Sequence, residues 1–466
     1  MRHTVNTIGK SLLLSLFLVG SSLPATAFEA GTQFILSGGA AGNGGGRYST
    51  YERYDTVWGN LDILLQPGWW SAHQVTNAKL IGWFDMPFVE DSTFGLAGQA
   101  SLKYSQENSY DEVPMINLIP DIDLLRYYYN KVDARGGFTL SAGRFNVSDK
   151  TGDIINQKID GLYLGYGSNK VQFGVYGGYT GLLNSRTTMM INPTGMNFWT
   201  SQLTDSLYST YVNKVKPINT KSLSDLMNKV DWGDVMSDVG RSFYIWADPY
   251  FVSAANLTFP YLFANQTAYL EASLAISTEG PSKVEDEFDR FYITGGLYGP
   301  LIFSDLIYSF STTFSTYGDS DNNKSAFEGL ANFSKLKLTY FTNFHNLALS
   351  AELKYASGDN GIYDPFYGLT SNPISYMRYS PEHNSAVKYG ISASFKPTKE
   401  FLVTIGTDQL FSYKKNIVDY QGWQIYSEMK LQCTSDFQFQ VKAYRFLATD
   451  STYDNTGATI TGVFSF

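Results

Sequence analysis

The stretch NLALSAELKYA at residues 346–356 decides the fold class. Leu349 and Leu353 fall on one face of an extended chain, whereas Glu352 and Lys354 fall on the other. Successive side chains of a β-strand point to opposite faces, so this pattern predicts a strand with one apolar and one polar face. The same alternation recurs in residues 94–104, 266–277, 386–396, 423–433 and 436–444.

The length of these segments separates two architectures. Strands of soluble β-sandwiches usually have about five or six residues, but these segments have about ten or more, close to the roughly 9–11 that a tilted strand needs to cross a bilayer. Their polar faces carry Ser, Thr, Gln and charges of both signs, as a water-filled interior requires. We therefore predict an all-β, closed antiparallel transmembrane β-barrel. A secreted β-sandwich or repeat protein is the alternative.

The composition excludes several other classes. Of the 466 residues, 17% are charged and 16% are aromatic, an aromatic content that disordered chains do not have. The net charge of -9 argues against a nucleic-acid binder, which needs a basic face. Beyond residue 30, the sequence has no run near the roughly 20 apolar residues of a spanning helix. The single cysteine, Cys433, rules out an internal disulfide framework.

The first 27 residues have the three parts of a secretory signal. Arg2 and Lys10 form a positive region, residues 11–20 are apolar, and Ala25-Thr26-Ala27 matches a cleavage site. We expect residues 1–27 to be removed during export and the mature protein to reside in the cell outer membrane, in contact with its lipid.

Strand counting predicts about eighteen strands, with 16–20 as the range. The first is placed at residues 54–66, so that residues 28–53 form a periplasmic or lumenal lead and residues 54–466 form the barrel. A further candidate at 31–39 would give nineteen strands and break the even number that such barrels have. Long external loops and short periplasmic turns are expected to alternate.

The connection at residues 182–241 is too long for a simple loop. Within it, the spacing i, i+3, i+4 and i+7 predicts an amphipathic helix; its apolar residues are Leu223, Leu226, Met227 and Val230. The functional interpretation is a segment that folds into the pore and constricts it. The alternatives are an external cap and a contact between subunits.

Alternation also predicts which charges face the interior. The candidates for lining the pore are Lys335, Lys337, Glu352, Lys354, Lys388, Lys396, Glu428, Lys430 and Lys442. With Asp408 and Glu271 included, seven bases face four acids, and a basic lining would favour anionic solutes. Alternatively, Lys–Glu pairs on neighbouring strands neutralise one another.

Residues 141–167 read SAGRFNVSDKTGDIINQKIDGLYLGYG, followed by KVQFGVYGGY at 170–179. The strand–loop–strand with Gly143-Arg144 and Asp160-Gly161-Leu162 resembles a segment of the alginate-export and related eighteen-stranded substrate-specific porins. The resemblance implies passage of an anionic sugar polymer or small acid through a basic interior, with Arg144 as a pore residue. Strict alternation instead points Arg144 towards lipid, where it could reach the headgroups, unless the strand bulges at Gly143.

The last eight residues, TITGVFSF, resemble the C-terminal assembly signal of bacterial outer-membrane barrels, where a terminal Phe is typical. This resemblance implies that Phe464 and Phe466 engage the barrel-assembly machinery.

The function predicted from these features is an outer-membrane porin for diffusion of small polar solutes, anionic ones among them. A barrel with a plugged interior, acting as a lipid or fatty-acid transporter or as a surface adhesin, is the alternative. No catalytic residue, cofactor or metal site is predicted: after residue 27 only three histidines remain, and no nucleophile motif adjoins them. No nucleic-acid partner is expected, and a homo-oligomer is considered.

Overall fold

A computed structural model describes most of the predicted strands. It covers residues 28–42, 73–89, 93–108, 115–180, 250–277, 288–301, 304–319, 330–342, 344, 346–358, 366, 368–369, 386–414, 417–449 and 454–466. Within these ranges, no helix has the length and apolar character needed to cross a membrane.

Eighteen antiparallel strands form one closed sheet. The strands are β1 Glu29–Gly42, β2 His73–Pro87, β3 Phe94–Asn108, β4 Met115–Asp133, β5 Gly136–Ser148, β6 Asn156–Gly167, β7 Gln172–Tyr179, β8 Tyr250–Phe263, β9 Gln266–Ser277, β10 Phe288–Pro300, β11 Leu306–Asp319, β12 Ala331–Phe341, β13 Ala348–Ala356, β14 Ala386–Phe395, β15 Phe401–Lys414, β16 Ile417–Gln432, β17 Phe437–Ala448 and β18 Asn455–Ser465. Each strand pairs with its neighbours in sequence, and β1 also pairs with β18. Because the first strand pairs with the last, neither end of the sheet presents a row of unpaired backbone groups to lipid.

Among the described residues, the predicted strand order is wrong at the closing strand. Residues 29–42 form β1 and pair with both β2 and β18, so they belong to the wall and not to a lead at 28–53. The predicted first strand at 54–66 lies outside the described residues, as does the signal segment 1–27. The even number of strands is nevertheless retained, because residues 29–42 supply the eighteenth.

The seam between β1 and β18 is held by backbone bonds and aromatic rings. Thr32 and Phe466 exchange two backbone hydrogen bonds of 3.0 and 2.8 Å. Across the seam, the Phe34 and Phe464 rings have centroids 6.4 Å apart. These contacts lie at the end of the barrel that we call the turn end, where short connections such as 134–135, 168–171 and 264–265 also lie. The opposite end is the loop end.

The two faces of the sheet have the polarity predicted from alternation. The outer face carries apolar side chains that are 37–58% exposed: Leu80, Leu102, Leu270, Ile293, Phe310, Leu336, Leu353, Ile391, Ile405, Ile425 and Ile460. The inner face holds buried polar groups that include Glu271, Arg290, Thr294, Thr313, Asp408 and Gln424. A continuous exposed apolar belt around a polar interior is the arrangement of a barrel that sits in lipid.

Candidate lumenal constriction

The hairpin formed by β5 and β6 departs from the wall near the loop end. Strand β4 pairs with β3 along its length from Met115 to Tyr129, but its pairing with β5 stops at Leu125 and Arg144. Residues 145–148 therefore have no hydrogen-bonded neighbour on the β4 side. Strands β5 and β6 stay paired with each other as far as Ser148 and Asn156, so they leave the wall together.

Two facing glycines mark the point of departure. Gly143 pairs with Gly161 across the hairpin and has a φ of 124°, a conformation that residues with a side chain rarely adopt. A Cβ on Gly143 would lie 2.3 Å from the Leu125 carbonyl oxygen, and one on Gly161 would lie 2.1 Å from that of Gly177. The bend therefore depends on close approach between backbones, which only glycine allows.

The tip of the hairpin, residues 149–155, is organised by the side chain of Asp149. Its Oδ1 accepts hydrogen bonds from the backbone N–H groups of Ile154 and Ile155 at 2.9 and 2.8 Å, and its Oδ2 accepts one from Thr151. Gly152 has a φ of 68°. Aspartate commonly closes turns by such local bonds, and here they give the tip a fixed shape.

The tip crosses the interior and contacts the far wall. Asp153 forms ion pairs with Lys335 of β12 and Lys354 of β13, at 2.8 and 2.9 Å. These strands are six and seven positions away from β6 around the ring, so the contacts can form only through the inside of the barrel. The Lys150 N–H donates to Glu271 at 3.0 Å. Glu271 lies six residues from Ser277, the loop end of β9. The tip therefore reaches roughly 20 Å into the barrel from that end.

A second segment folds inward against the tip. Leu369 donates its N–H to the Ile154 carbonyl oxygen at 2.9 Å, and Arg290 of β10 donates to the Gly368 carbonyl oxygen at 3.0 Å. The Phe366 ring stacks on Phe333 of β12 with centroids 5.4 Å apart. Together with Phe145, Ile155 and Ile159, these apolar residues form a core inside the barrel. This core holds the hairpin in the interior.

Arg144 fastens the other side of the hairpin to the inner face of β4. It is 2% exposed, its Nη1 lies 2.7 Å from Asp160 Oδ2, and its Nη2 lies 3.8 Å from Asp121 Oδ1. Its Nε donates to the Ile122 carbonyl oxygen at 2.7 Å. Lys158 joins the same cluster, 2.6 Å from Asp121.

The position of Arg144 resolves the two sequence-based interpretations. Arg144 and Asp160 have the same alternation as the exposed residues Leu140 and Leu162, so on a straight strand they would face lipid. Arg144 is buried and the Asp160 side chain is only 13% exposed, because the hairpin has left the wall and applies this face to β4. Arg144 is therefore inside the barrel, as the porin resemblance implies, but it anchors the hairpin and is not exposed as a pore-lining side chain.

Replacing Arg144 with methionine is expected to lower the free energy of unfolding by about 3 kcal/mol, because the largely shielded carboxylate of Asp160 would remain without its partner. Urea unfolding followed by tryptophan fluorescence measures the change. Arg445→Met is the matched control, since Arg445 is exposed on β17 and pairs with Ile425 of the outer face. Equal stability of the two variants would contradict the anchoring role.

The predicted interior charges are largely paired. Lys335, Lys354 and Lys388 occupy facing positions on β12, β13 and β14, and Lys388 Nζ lies 3.2 Å from Asp408. Lys335 Nζ also lies 3.8 Å from Glu352. Lys337 is exposed on the same face. Lys396 lies beyond the end of β14, in the connection to β15 at the turn end, so it does not line the strand wall.

Two further lysines share one acid. Glu428 of β16 accepts from Lys430 at 2.9 Å, and Lys442 of β17 lies 3.9 Å from it. The two lysine side chains are 41% and 45% exposed, so they remain in contact with solvent.

The alternation of the sequence did not predict that residues 149–155 fold into the interior. By the expected alternation of long and short connections, residues 147–157 are one of the long external loops, and the predicted constriction concerns residues 182–241 instead. That segment, with Leu223, Leu226, Met227 and Val230, lies outside the described residues. The sequence signal for the bend is the pair Gly143 and Gly161, but that these two glycines face each other is known only from the register of the hairpin. Within the described ranges, no group of three or more His, Cys, Asp or Glu side chains is placed to hold a metal ion.

Comparison with solved structures identifies the fold. OccK5 (OpdH) of Pseudomonas aeruginosa superposes with a TM-score of 0.54 and 10% identity, over 94% of this chain and 98% of that chain. OpdQ of the same organism superposes with a TM-score of 0.54 and 8% identity, over 95% of this chain and 99% of that chain. OccK3 (OpdO) superposes with a TM-score of 0.53 and 9% identity, over 97% of this chain and 99% of that chain. No family model matches the chain, and no curated protein matches its sequence. The chain thus has the fold of an eighteen-stranded antiparallel β-barrel, which it shares at low sequence identity with OccK5 (OpdH), OpdQ and OccK3 (OpdO) of Pseudomonas aeruginosa.

Proposed function

We propose that the protein is an outer-membrane channel through which small polar solutes diffuse, with its narrowest part set by the hairpin tip 149–155. The observation that carries this proposal is the tip itself: it reaches from β6 to Lys335 and Lys354 on the opposite wall and so narrows a polar interior. Transport through such a pore needs no chemical step.

The apolar residues of the interior do not favour the lipid-carrier alternative. A lipid or fatty acid needs an open apolar pocket, whereas the interior core residues, such as Ile154, Ile159 and Phe366, are at most 6% exposed and pack against one another. Residues 29–42 belong to the wall, so they cannot fill the interior as a hatch.

The solvent-exposed lysines give the pore a preference for anions. Lys337, Lys430 and Lys442 line the interior on β12, β16 and β17, and Glu428 is the acid nearest to the last two. Fixed charges that line a pore of low dielectric concentrate mobile ions of the opposite sign.

Reversing these charges tests the preference. In the double variant Lys430→Glu, Lys442→Glu, the ratio of anion to cation permeability is expected to fall about threefold, since four charge units change at screened distances. The ratio is obtained from the reversal potential in a salt gradient. Arg445→Glu, which changes an exposed arginine paired with the outer face, should leave it unchanged. An unaltered ratio in the double variant would refute the assignment of these lysines to the pore lining.

Single-channel recording of the refolded wild-type protein in a planar bilayer tests the function as a whole. Steady ohmic steps with anion preference are expected. Conductance steps with a preference for cations would support the channel but contradict the proposed basic lining of the pore. If protein shown to be a folded barrel has no conductance, solute diffusion is rejected and a plugged interior is favoured.

A further inference from the structure

A separate pocket opens at the turn end of the barrel. It has a volume of about 370 Å³ and lies between the turns 168–171 and 264–265, against the inner faces of β7 to β10. Its lining includes Asn169, Gln172, Thr258, Tyr261, Asn265 and Tyr298. None of its lining residues belongs to the hairpin tip 149–155.

The chemistry of the lining selects a class of ligand. None of its ten side chains is charged, and amide and hydroxyl groups stand beside two tyrosine rings. Amides and hydroxyls can each donate and accept hydrogen bonds, as the hydroxyl groups of a saccharide require, and an aromatic ring offers the apolar surface on which a sugar ring can lie. The volume falls within the range of small-molecule sites.

One buried group in this pocket has an unused hydrogen-bonding capacity. Thr258 is 5% exposed, and its Oγ1 has no hydrogen-bond partner among the described residues. A buried hydroxyl without a hydrogen-bond partner raises the free energy of the folded protein. A ligand that forms a hydrogen bond with it would offset this unfavourable contribution.

The backbone around the pocket is held in an unusual conformation. Tyr261, Ala264 and Asn265 have φ values of 54°, 44° and 61°, and the pairing of β8 with β9 shifts between Phe259 and Phe263. The Tyr261 side chain is 71% exposed as a result. Gln266 supports this turn, because its Nε2 donates to the Pro300 carbonyl oxygen at 2.6 Å. Ala264 and Asn265 are the two central residues of the β8–β9 hairpin turn, where positive φ is usual. Tyr261 precedes this turn, and a positive φ in such a bulky residue is uncommon and concentrated at functional sites.

We propose that this pocket binds a neutral saccharide ring, with Thr258 and the flanking amides as hydrogen-bonding groups and Tyr261 as the ring platform. The inference goes beyond the proposed channel and does not depend on it. The same chemistry fits a free sugar in transit and the glycan strand of peptidoglycan, which the turn end would face in a channel with periplasmic turns.

Binding is tested without conductance, by saturation-transfer NMR with maltose on the barrel in a detergent that contains no sugar. We expect millimolar binding to the wild type and about tenfold weaker binding to Thr258→Val and to Tyr261→Ala, because each variant removes one contact of the ligand. Tyr340→Ala, an exposed tyrosine of β12 near the turn end, is the control and should bind as the wild type does. Retained heat-modifiable gel mobility verifies folding, and Thr258→Val preserves shape if Tyr261→Ala does not fold.

Each outcome decides the proposal. No saturation transfer to the wild type, or equal transfer to all variants, would overturn it. If maltose binds as expected, cosedimentation with purified peptidoglycan separates the two sources. Cosedimentation that Thr258→Val abolishes identifies the cell-wall glycan, whereas maltose binding without cosedimentation identifies a free sugar.

Discussion

Substituting Gly143 with valine is expected to destabilise the folded barrel by about 4 kcal/mol, from backbone strain and overpacking together. The φ of 124° is unfavourable for any residue with a Cβ and most of all for a β-branched one. The added Cβ would also lie 2.3 Å from the Leu125 carbonyl oxygen and 3.1 Å from the Arg126 Cα. Both are backbone atoms of the wall, so no side-chain rotation relieves the overlap.

Gly82→Val is the matched control for this variant. Gly82 lies in β2, and a Cβ there would meet nothing within 4 Å, so the loss of stability should be below about 1 kcal/mol, as for most surface substitutions. Urea titration with heat-modifiable gel migration measures both variants. If Gly143→Val unfolds at the same urea concentration as Gly82→Val, the bend at Gly143 does not exist as described.

Neutralising Asp153 is expected to release the hairpin tip and enlarge the pore. In Asp153→Asn, Lys335 and Lys354 lose the carboxylate that bridges them at 2.8 and 2.9 Å. They face each other across β12 and β13, and like charges in facing positions repel. We expect the single-channel conductance to rise to about twice the wild-type value, with a stronger anion preference, because pore width and lining charge govern both.

Asp408→Asn is the control that distinguishes the effect of removing a negative charge from the effect of moving the hairpin tip. Asp408 pairs with Lys388 in the same row of lysines, but it belongs to the wall strand β15 and not to the hairpin. Its neutralisation should increase the anion preference without the rise in conductance. A wild-type conductance in Asp153→Asn would show that the tip does not limit flow.

The fold was largely predictable from the sequence because a membrane barrel repeats one simple rule in every strand. Apolar and polar residues alternate at 346–356 and in most other strands, and each strand so identified after residue 76 is present in the structure. The exception, residues 29–42, contains seven glycine and alanine residues, which carry little apolar signal. Its role in closing the ring is defined by its pairing partners β18 and β2, which the local sequence does not specify.

The inward position of the β5–β6 hairpin was not predictable in the same way, because the hairpin does not follow the alternation of apolar and polar side chains that holds in the wall. Arg144 and Asp160 fall on the apolar face by alternation, and only the departure of the hairpin from the wall makes that face internal. Asp153 gave no local signal, since its partners Lys335 and Lys354 are about 180 and 200 residues away in sequence. Lys335, Lys354 and Lys388 fall on the polar face by alternation, but the sequence does not specify the ion pairs that they form.

Zero-length carbodiimide cross-linking of the native protein, followed by mass spectrometry, tests the central claim that the hairpin tip crosses the interior. The reagent joins carboxylates to amines in direct contact, so a link between Asp153 and Lys335 or Lys354 is predicted. The link between Lys388 and Asp408, whose atoms are 3.2 Å apart on adjacent strands, shows that the reagent enters the interior. The Lys388–Asp408 link without either Asp153 link would place the tip elsewhere and contradict the account.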